Sequence, residues 1–137
     1  LFHQALINIY NLHRKKSQSY FSELGLTKGQ PRMIEAIHNM EGCAQKDLAA
    51  KCELEPATVT SVLGHMEKKG LIYRTPEVLS NGKRVSRVYL TEKGQSIQAD
   101  VTQIVADMES LAFRDFTESE KTECMEYLER IYANLRS

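Results

Sequence analysis

Residues 45–91 decide the fold of this chain; they read QKDLAAKCELEPATVTSVLGHMEKKGLIYRTPEVLSNGKRVSRVYLT. The pattern predicts a short helix over Lys46–Lys51 and then a second helix that begins near Pro56 and ends at Gly70. Proline fits the first turn of a helix, where its missing N–H costs little, and glycine is typical just beyond the end. Two short helices joined by a tight connection predict a helix-turn-helix.

Two strand-like runs, Leu71–Arg74 and Val85–Leu90, follow the second helix. The loop Pro76–Gly82 between them contains Asn81-Gly82, a strong hairpin signal. The second run divides into two alternating sets of side chains, as the pleat of a strand requires. A hairpin after a helix-turn-helix predicts a winged helix-turn-helix, whose obvious partner is duplex DNA.

Four more helices are predicted outside this stretch, which makes the chain mainly α, with about six helices and a small β-hairpin wing. They are residues 2–22; a helix capped by Thr27 and Gln30 that ends at Gly42; a helix capped by Thr91 that runs to about Phe113; and a helix with the capping box Thr117/Glu120 that runs to about Leu135. The first and the last two are amphipathic and too long for a small reading domain to cover. They need a partner surface, which this chain or a second subunit could supply.

Composition is that of a globular protein: of 137 residues, 42% are hydrophobic and 26% charged. No apolar run reaches the ~18 residues of a membrane span, and the order of basic and apolar residues at the start is wrong for a secretory signal. The three cysteines, Cys43, Cys52 and Cys124, are odd in number and have no CxxC spacing. We therefore expect a protein of the reducing cytoplasm, without membrane association.

The net charge of zero hides an uneven distribution along the chain. Residues 45–91 hold eight Lys/Arg against five acids, and residues 1–44 hold five against three. Residues 92–137 hold five Lys/Arg against ten acids. The basic excess lies towards the predicted reading module, as a surface that faces phosphates requires, although ordinary solvated charge would also fit.

The second helix of the module offers a small, polar face that suits the major groove. Its candidates for base contacts are Thr58, Thr60, Ser61 and His65. Gly64 is costly inside a helix, and close approach of a backbone or of DNA would explain it. Taken alone, this face is more typical of the exposed side of a helix that packs on a core. The order of elements around it favours the interpretation that the face contacts DNA.

Basic residues supply the other candidate contacts. Lys83, Arg84 and Arg87 lie at or near the hairpin tip, from which arginine can enter the minor groove. Lys46, Lys68 and Arg74 are the candidate phosphate contacts.

Several short motifs occur together at fixed spacing: Leu26-Thr27 with Gln30, KDLA (46–49), TVT (58–60), MEKKGLI (66–72) and LTEKG (90–94). In this register the chain resembles the MarR family of bacterial winged-helix transcriptional regulators over almost its whole length. The resemblance implies a homodimer in which residues 1–25 and 92–137 form the dimerisation helices and residues 26–91 the DNA-binding region. It also implies recognition helices in successive major grooves of a pseudo-palindrome, with wing arginines in the minor groove.

The resemblance has departures at the DNA-facing positions. Ser61, Gly64 and His65 stand where the family often has arginine and an acidic residue. In the wing, Gly82 replaces the usual aspartate before two basic residues, so an intramolecular brace is expected to be missing and the wing to be more mobile. Arg84 is the clean match there.

The function implied is a sequence-specific, DNA-binding repressor. The alternative is a winged-helix protein-interaction module that does not bind DNA, which the neutral net charge and the arginine-free recognition helix would suit. An enzyme is not expected, because GxSxG, phosphate-loop and HExxH motifs are absent. The four histidines do not pair at ligand spacing, so no metal or other cofactor is expected.

Many members of the family release DNA when a small phenolic or anionic compound binds. Candidates for such a pocket are Tyr10, His13, Arg14, Tyr20 and Phe21, which combine aromatic rings with a cation. For the aromatic residues, ordinary core packing is the stronger alternative.

Overall fold

The structure, a computed structural model, describes all residues, Leu1–Ser137. It confirms six helices and one antiparallel hairpin. The elements are α1 (Phe2–Glu23), α2 (Gln30–Asn39), α3 (Gln45–Cys52), α4 (Pro56–Lys68), β1 (Ile72–Val78), β2 (Arg84–Leu90), α5 (Glu92–Ala112) and α6 (Glu118–Arg136). The chain divides into two compact units, Leu1–Val105 and Ala106–Ser137. None of the helices is long and apolar enough to cross a membrane.

One hydrophobic core fills the first unit and joins α2, α3, α4, the hairpin and α5. Its fully buried side chains include Met33, Ile34, Ile37, Leu48, Val59, Leu63, Met66, Val88 and Val101. The amphipathic spacing of these residues puts one face of each helix inward. The opposite face of α4 is thereby left to solvent.

The start of α2 differs from the prediction that Thr27 caps it. The helix begins at Gln30, after Gly29 in the left-handed conformation (φ 85°). Half of the expected capping box is present, since the Thr27 N–H donates to Gln30 Oε1 at 3.0 Å. Lys69 Nζ also donates to Gln30 Oε1, at 2.9 Å. The buried Gln30 side chain thus links the entry of α2 to the end of α4.

β1 is longer than predicted, and Pro76 lies within it rather than in the loop. Pro76 pairs with Ser86 in the antiparallel register. The N–H of Thr91 donates to Leu71 O and that of Leu79 to Lys83 O, so hydrogen-bonded pairs alternate and Pro76 falls in a non-bonded one. Its missing N–H therefore costs the ladder nothing.

The link before α3 pairs with the hairpin. Ala44 forms an isolated antiparallel bridge with Arg87. The Gly42 N–H donates to Val88 O at 2.9 Å, and the Val88 N–H donates to Cys43 O at 3.0 Å. The hairpin base is thus held against the helix-turn-helix by backbone bonds.

Thr91 caps α5, as predicted, by accepting a hydrogen bond from the Gly94 N–H at 3.0 Å. A Cβ at Gly94 would overlap the carbonyl of Leu71, so only glycine fits there. The exit of the hairpin is consequently fixed against the first turn of α5.

The second unit contains the end of α5 and α6. The predicted capping box is complete: Thr117 Oγ1 accepts from the Glu120 N–H, and the Thr117 N–H donates to the Glu120 carboxylate at 2.8 Å. That hydrogen bond holds the pKa of Glu120 below its usual range. No residue of α6 is buried.

Candidate nucleic-acid interface

The outer face of α4 presents small polar side chains to solvent, as the sequence predicts. Thr58, Ser61 and His65 are exposed, and their side chains make no hydrogen bond or ion pair within the chain. Val59, Leu63 and Met66 hold the helix down on the core. A Cβ at Gly64 would meet nothing within 4 Å, so no part of the chain itself requires glycine there.

Thr60 is exposed on the same helix but is already engaged. Its hydroxyl donates to the Pro56 carbonyl at 3.0 Å and accepts from Gln45 Nε2 at 2.8 Å. Gln45, at the first position of α3, was not among the sequence candidates. The sequence signal for it is weak, because a helix-starting glutamine resembles an ordinary solvated residue.

Arg74 differs from the expected free phosphate contact. Its Nε and Nη2 donate to the two carboxylate oxygens of Glu67 at 3.2 and 3.0 Å, and its Nη1 donates to Gln45 Oε1 at 3.4 Å. The Arg74 hydrogen bond lowers the pKa of Glu67. The guanidinium therefore carries its own counter-ion.

The second strand of the hairpin contains one paired and one unpaired arginine. Arg87 Nε donates to Glu77 across the two strands at 2.7 Å, which raises the pKa of the guanidinium. This ion pair links the two strands of the wing, so the hairpin has a brace although Gly82 stands where the family usually has aspartate. The exposed side chains of Lys83 and Arg84 have no partner.

Lys46 and Lys68 are exposed at the start of α3 and the end of α4, also without ion-pair partners. The unpaired cations around the α4 face are thus Lys46, Lys68, Lys83 and Arg84. Lys46 begins α3, Lys68 ends α4, and Lys83 and Arg84 lie at the tip of the hairpin, so the helix-turn-helix and the hairpin both carry free positive charge. Such an arrangement can bind phosphates around a groove whose base edges face α4.

A cleft of about 720 Å³ lies between α1, residues 26–35 and α5. Tyr10, Arg14 and Phe21 line it, together with Lys28 and Arg32. His13 and Tyr20 do not line it, which corrects the predicted set. An α-helix turns by ~100° per residue, so the side chains of His13 and Tyr20 point some 60–80° away from that of Tyr10. Arg14 points away from Tyr10 in the other direction around the helix.

Two of the three cysteines have thiols of raised pKa, and the structure has no metal-binding cluster. Burial raises the pKa of the Cys43 and Cys52 thiols, which keeps them protonated and poorly nucleophilic. No group of three or more His, Cys, Asp or Glu side chains is placed to hold a metal ion.

Comparison with known proteins adds to this geometry. The MarR family matches residues 26–80. The HTH-type transcriptional regulator SarZ of Staphylococcus aureus is 31% identical over 107 residues, which are 78% of this chain and 68% of SarZ. The match to SarZ of Staphylococcus epidermidis covers 65% of that protein, so the chain spans about two thirds of the length of these relatives.

Solved structures match along nearly the whole chain. The transcriptional regulator SlyA has a TM-score of 0.81 at 25% identity, covering 96% of this chain and 93% of SlyA. A Listeria monocytogenes protein assigned to the MarR family was solved in complex with a 26mer DNA. It has a TM-score of 0.83 at 25% identity, covering 96% of this chain and 87% of its own.

Proposed function

Since the chain belongs to the MarR family of transcriptional regulators, we propose that it is a homodimeric repressor that binds a pseudo-palindromic duplex operator. A member of this family of regulators is not an enzyme, in agreement with the missing catalytic motifs. The observation that carries the proposal is the exposed polar face of α4, together with the unpaired cations of α3, α4 and the hairpin tip. In this proposal α4 enters the major groove, and the hairpin tip with Lys83 and Arg84 reaches the adjacent minor groove.

Contacts to bases and to phosphates come from different residues in this proposal. Thr58, Thr60, Ser61 and His65 face base edges, where hydroxyl and imidazole groups can accept and donate hydrogen bonds. Lys46 and Lys68 contact phosphates, whereas the paired Arg74 and Arg87 contribute less charge. The Listeria relative solved with DNA supports this use of the fold.

A second copy of the chain supplies the missing partner surface. The apolar stripe of α1 is exposed, with Phe2 at 55%, Leu6 at 48% and Ile9 at 69%. On α6, Leu128 and Leu135 are exposed at 49% and 72%. We assign residues 1–25 and 92–137 to dimerisation and 26–91 to DNA binding, because single domains rarely leave stripes of this size in water. Such a regulator acts where the chromosome is, in the cytoplasm.

The cleft is proposed as the effector site. Tyr10 and Phe21 offer aromatic surface, and Arg14 and Arg32 offer charge to an anionic aromatic or phenolic compound. A thermal-shift series with aromatic carboxylates tests this on the wild type and on Arg14→Met. A rise in melting temperature that Arg14→Met abolishes supports the site; no shift with any compound of the series counts against it.

Selection of bound genomic fragments by the purified protein tests DNA recognition and identifies the operator together. We expect enrichment of fragments that share an inverted repeat. Enrichment of none, even at low salt, would favour the protein-interaction module instead.

A further inference from the structure

Four side chains form a continuous chain of hydrogen bonds from the base of the hairpin to the outer face of α4. Glu67 binds Arg74 at two points, Arg74 donates to Gln45, and Gln45 donates to Thr60. The four residues come from α4, β1 and α3, so these hydrogen bonds connect three elements of the reading module. Thr60 is exposed at its end.

The chemistry of arginine fixes the direction of these bonds. A guanidinium can only donate, so the carbonyl end of the Gln45 amide must face Arg74 and its NH₂ end must face Thr60. The Thr60 oxygen therefore accepts, and its own hydrogen goes to the Pro56 carbonyl 3.0 Å away. Both bonds hold the hydroxyl on one side of the threonine.

A threonine within a helix ordinarily divides between two χ1 rotamers, because its hydroxyl can bond to the preceding turn in more than one way. The bond from Gln45 selects one of them, since it is made only when Oγ1 faces α3. The methyl group and the remaining lone pair of Thr60 are then offered to DNA in one fixed arrangement. Without Gln45 the two groups can exchange places.

We propose that Glu67 and Arg74 act through Gln45 as positioning residues for Thr60, and thereby determine base preference at the position Thr60 contacts. This inference rests on the proposed DNA-binding function. It assigns a role in specificity to Glu67, whose carboxylate is bound to Arg74 rather than offered to DNA.

Glu67 has a second, separable effect, because its charge cancels that of Arg74. Loss of the carboxylate leaves Arg74 as one more unpaired cation beside the α4 face. The slope of log affinity against log salt concentration then becomes steeper by about one unit per subunit. The Arg87–Glu77 pair on the hairpin provides the matched control. It is also an arginine–glutamate pair beside the candidate interface, but no hydrogen bond connects it to Thr60.

The test compares binding of wild type, Thr60→Val, Gln45→Leu, Glu67→Gln and Glu77→Gln to a randomised duplex library, with a salt titration of each on the selected site. Thr60→Val identifies the base position by losing its preference there. At that position Gln45→Leu and Glu67→Gln lower the preference by about two- to fivefold, as expected when a second rotamer becomes populated. Glu77→Gln leaves it unchanged.

The salt slopes separate positioning from charge. Gln45→Leu keeps the wild-type slope, whereas Glu67→Gln and Glu77→Gln both steepen it. The inference is overturned if the wild type binds DNA but Gln45→Leu and Glu67→Gln show the same base preference as the wild type. It is also overturned if Thr60→Val alters the preference at no base position. Failure of the wild type to bind any duplex refutes the proposed function itself, which is a different result.

Discussion

Arg84 and Arg87 lie three residues apart on β2, on opposite faces of the hairpin, and only Arg87 has an ionic partner. Arg87 is bound to Glu77 at 2.7 Å, whereas Arg84 lies opposite Val78 in the strand register and its side chain is exposed to water. An arginine that must reach the minor groove has to be free of internal partners. The structure therefore separates a wing residue available to DNA from one that braces the wing.

Arg84→Ala should weaken operator binding by about 1–3 kcal/mol, because a desolvated arginine contact in a narrow minor groove is lost. Gel-shift titrations at one fixed salt concentration measure the change. Arg87→Ala is the control and should cost less than half as much. Equal losses for the two variants, or unchanged affinity of Arg84→Ala, would refute the assignment of the wing tip.

Gly64→Ala should stabilise the fold and weaken DNA binding. Alanine is favoured over glycine inside a helix by about 0.5–1 kcal/mol, and the added methyl meets no atom of the chain within 4 Å. Urea unfolding measures the gain in free energy of unfolding. If DNA backbone or bases approach Gly64 closely, the same methyl obstructs them and operator affinity falls. A stabilised variant with full affinity would show that DNA does not come near this residue.

Gly94→Ala should have the opposite effect on stability. Its methyl would overlap the Leu71 carbonyl, and backbone atoms cannot move aside cheaply. Overpacking of this kind costs about 1–3 kcal/mol or more. A lower urea midpoint with an unchanged slope is the expected result, and a midpoint equal to that of the wild type would contradict the geometry.

Ile9→Asp should convert the proposed dimer to monomer, since Ile9 is 69% exposed on the apolar stripe of α1. Sedimentation equilibrium gives the association state, and DNA affinity should fall with it because two half-sites are no longer held together. Lys15→Asp, about a third of a turn round the same helix, is the control and should remain dimeric. If the wild type were monomeric, the proposed dimer interface would be wrong, whereas the assigned fold would be unaffected.

The sequence predicts an element well where a period, a first-turn residue and a stop agree. α4 is the example: Pro56 marks its start, Val59 and Met66 with either Val62 or Leu63 give the helical spacing, and Gly70 follows its end. The structure agrees, and Leu63 is the buried one of the two alternatives. The predicted entry of α2 is wrong because Thr27 resembles an N-cap, while the left-handed Gly29 fits the turn more easily. The predicted loop position of Pro76 is also wrong, because strand pairing decides whether its missing N–H matters, and that pairing is not visible in the sequence.

The candidate interface was harder to predict, for reasons of long-range pairing. Which arginines are free depends on Glu67 and Glu77 being folded against Arg74 and Arg87, seven and ten residues away. The role of Gln45 depends on Thr60 lying beside it, fifteen residues further on. Residue type and spacing identified the cations, but only the folded arrangement shows which of them have counter-ions.

The most direct test of the central claim is the affinity of the wild-type protein for its selected genomic fragment, measured from 50 to about 200 mM salt. We expect tight binding that falls steeply and linearly on a plot of log affinity against log salt concentration, with a slope set by the phosphates that the free cations contact. Competition with unrelated duplex should leave the selected fragment bound. Undetectable binding at the lowest salt, or equal affinity for unrelated duplex, would contradict sequence-specific DNA binding by this protein.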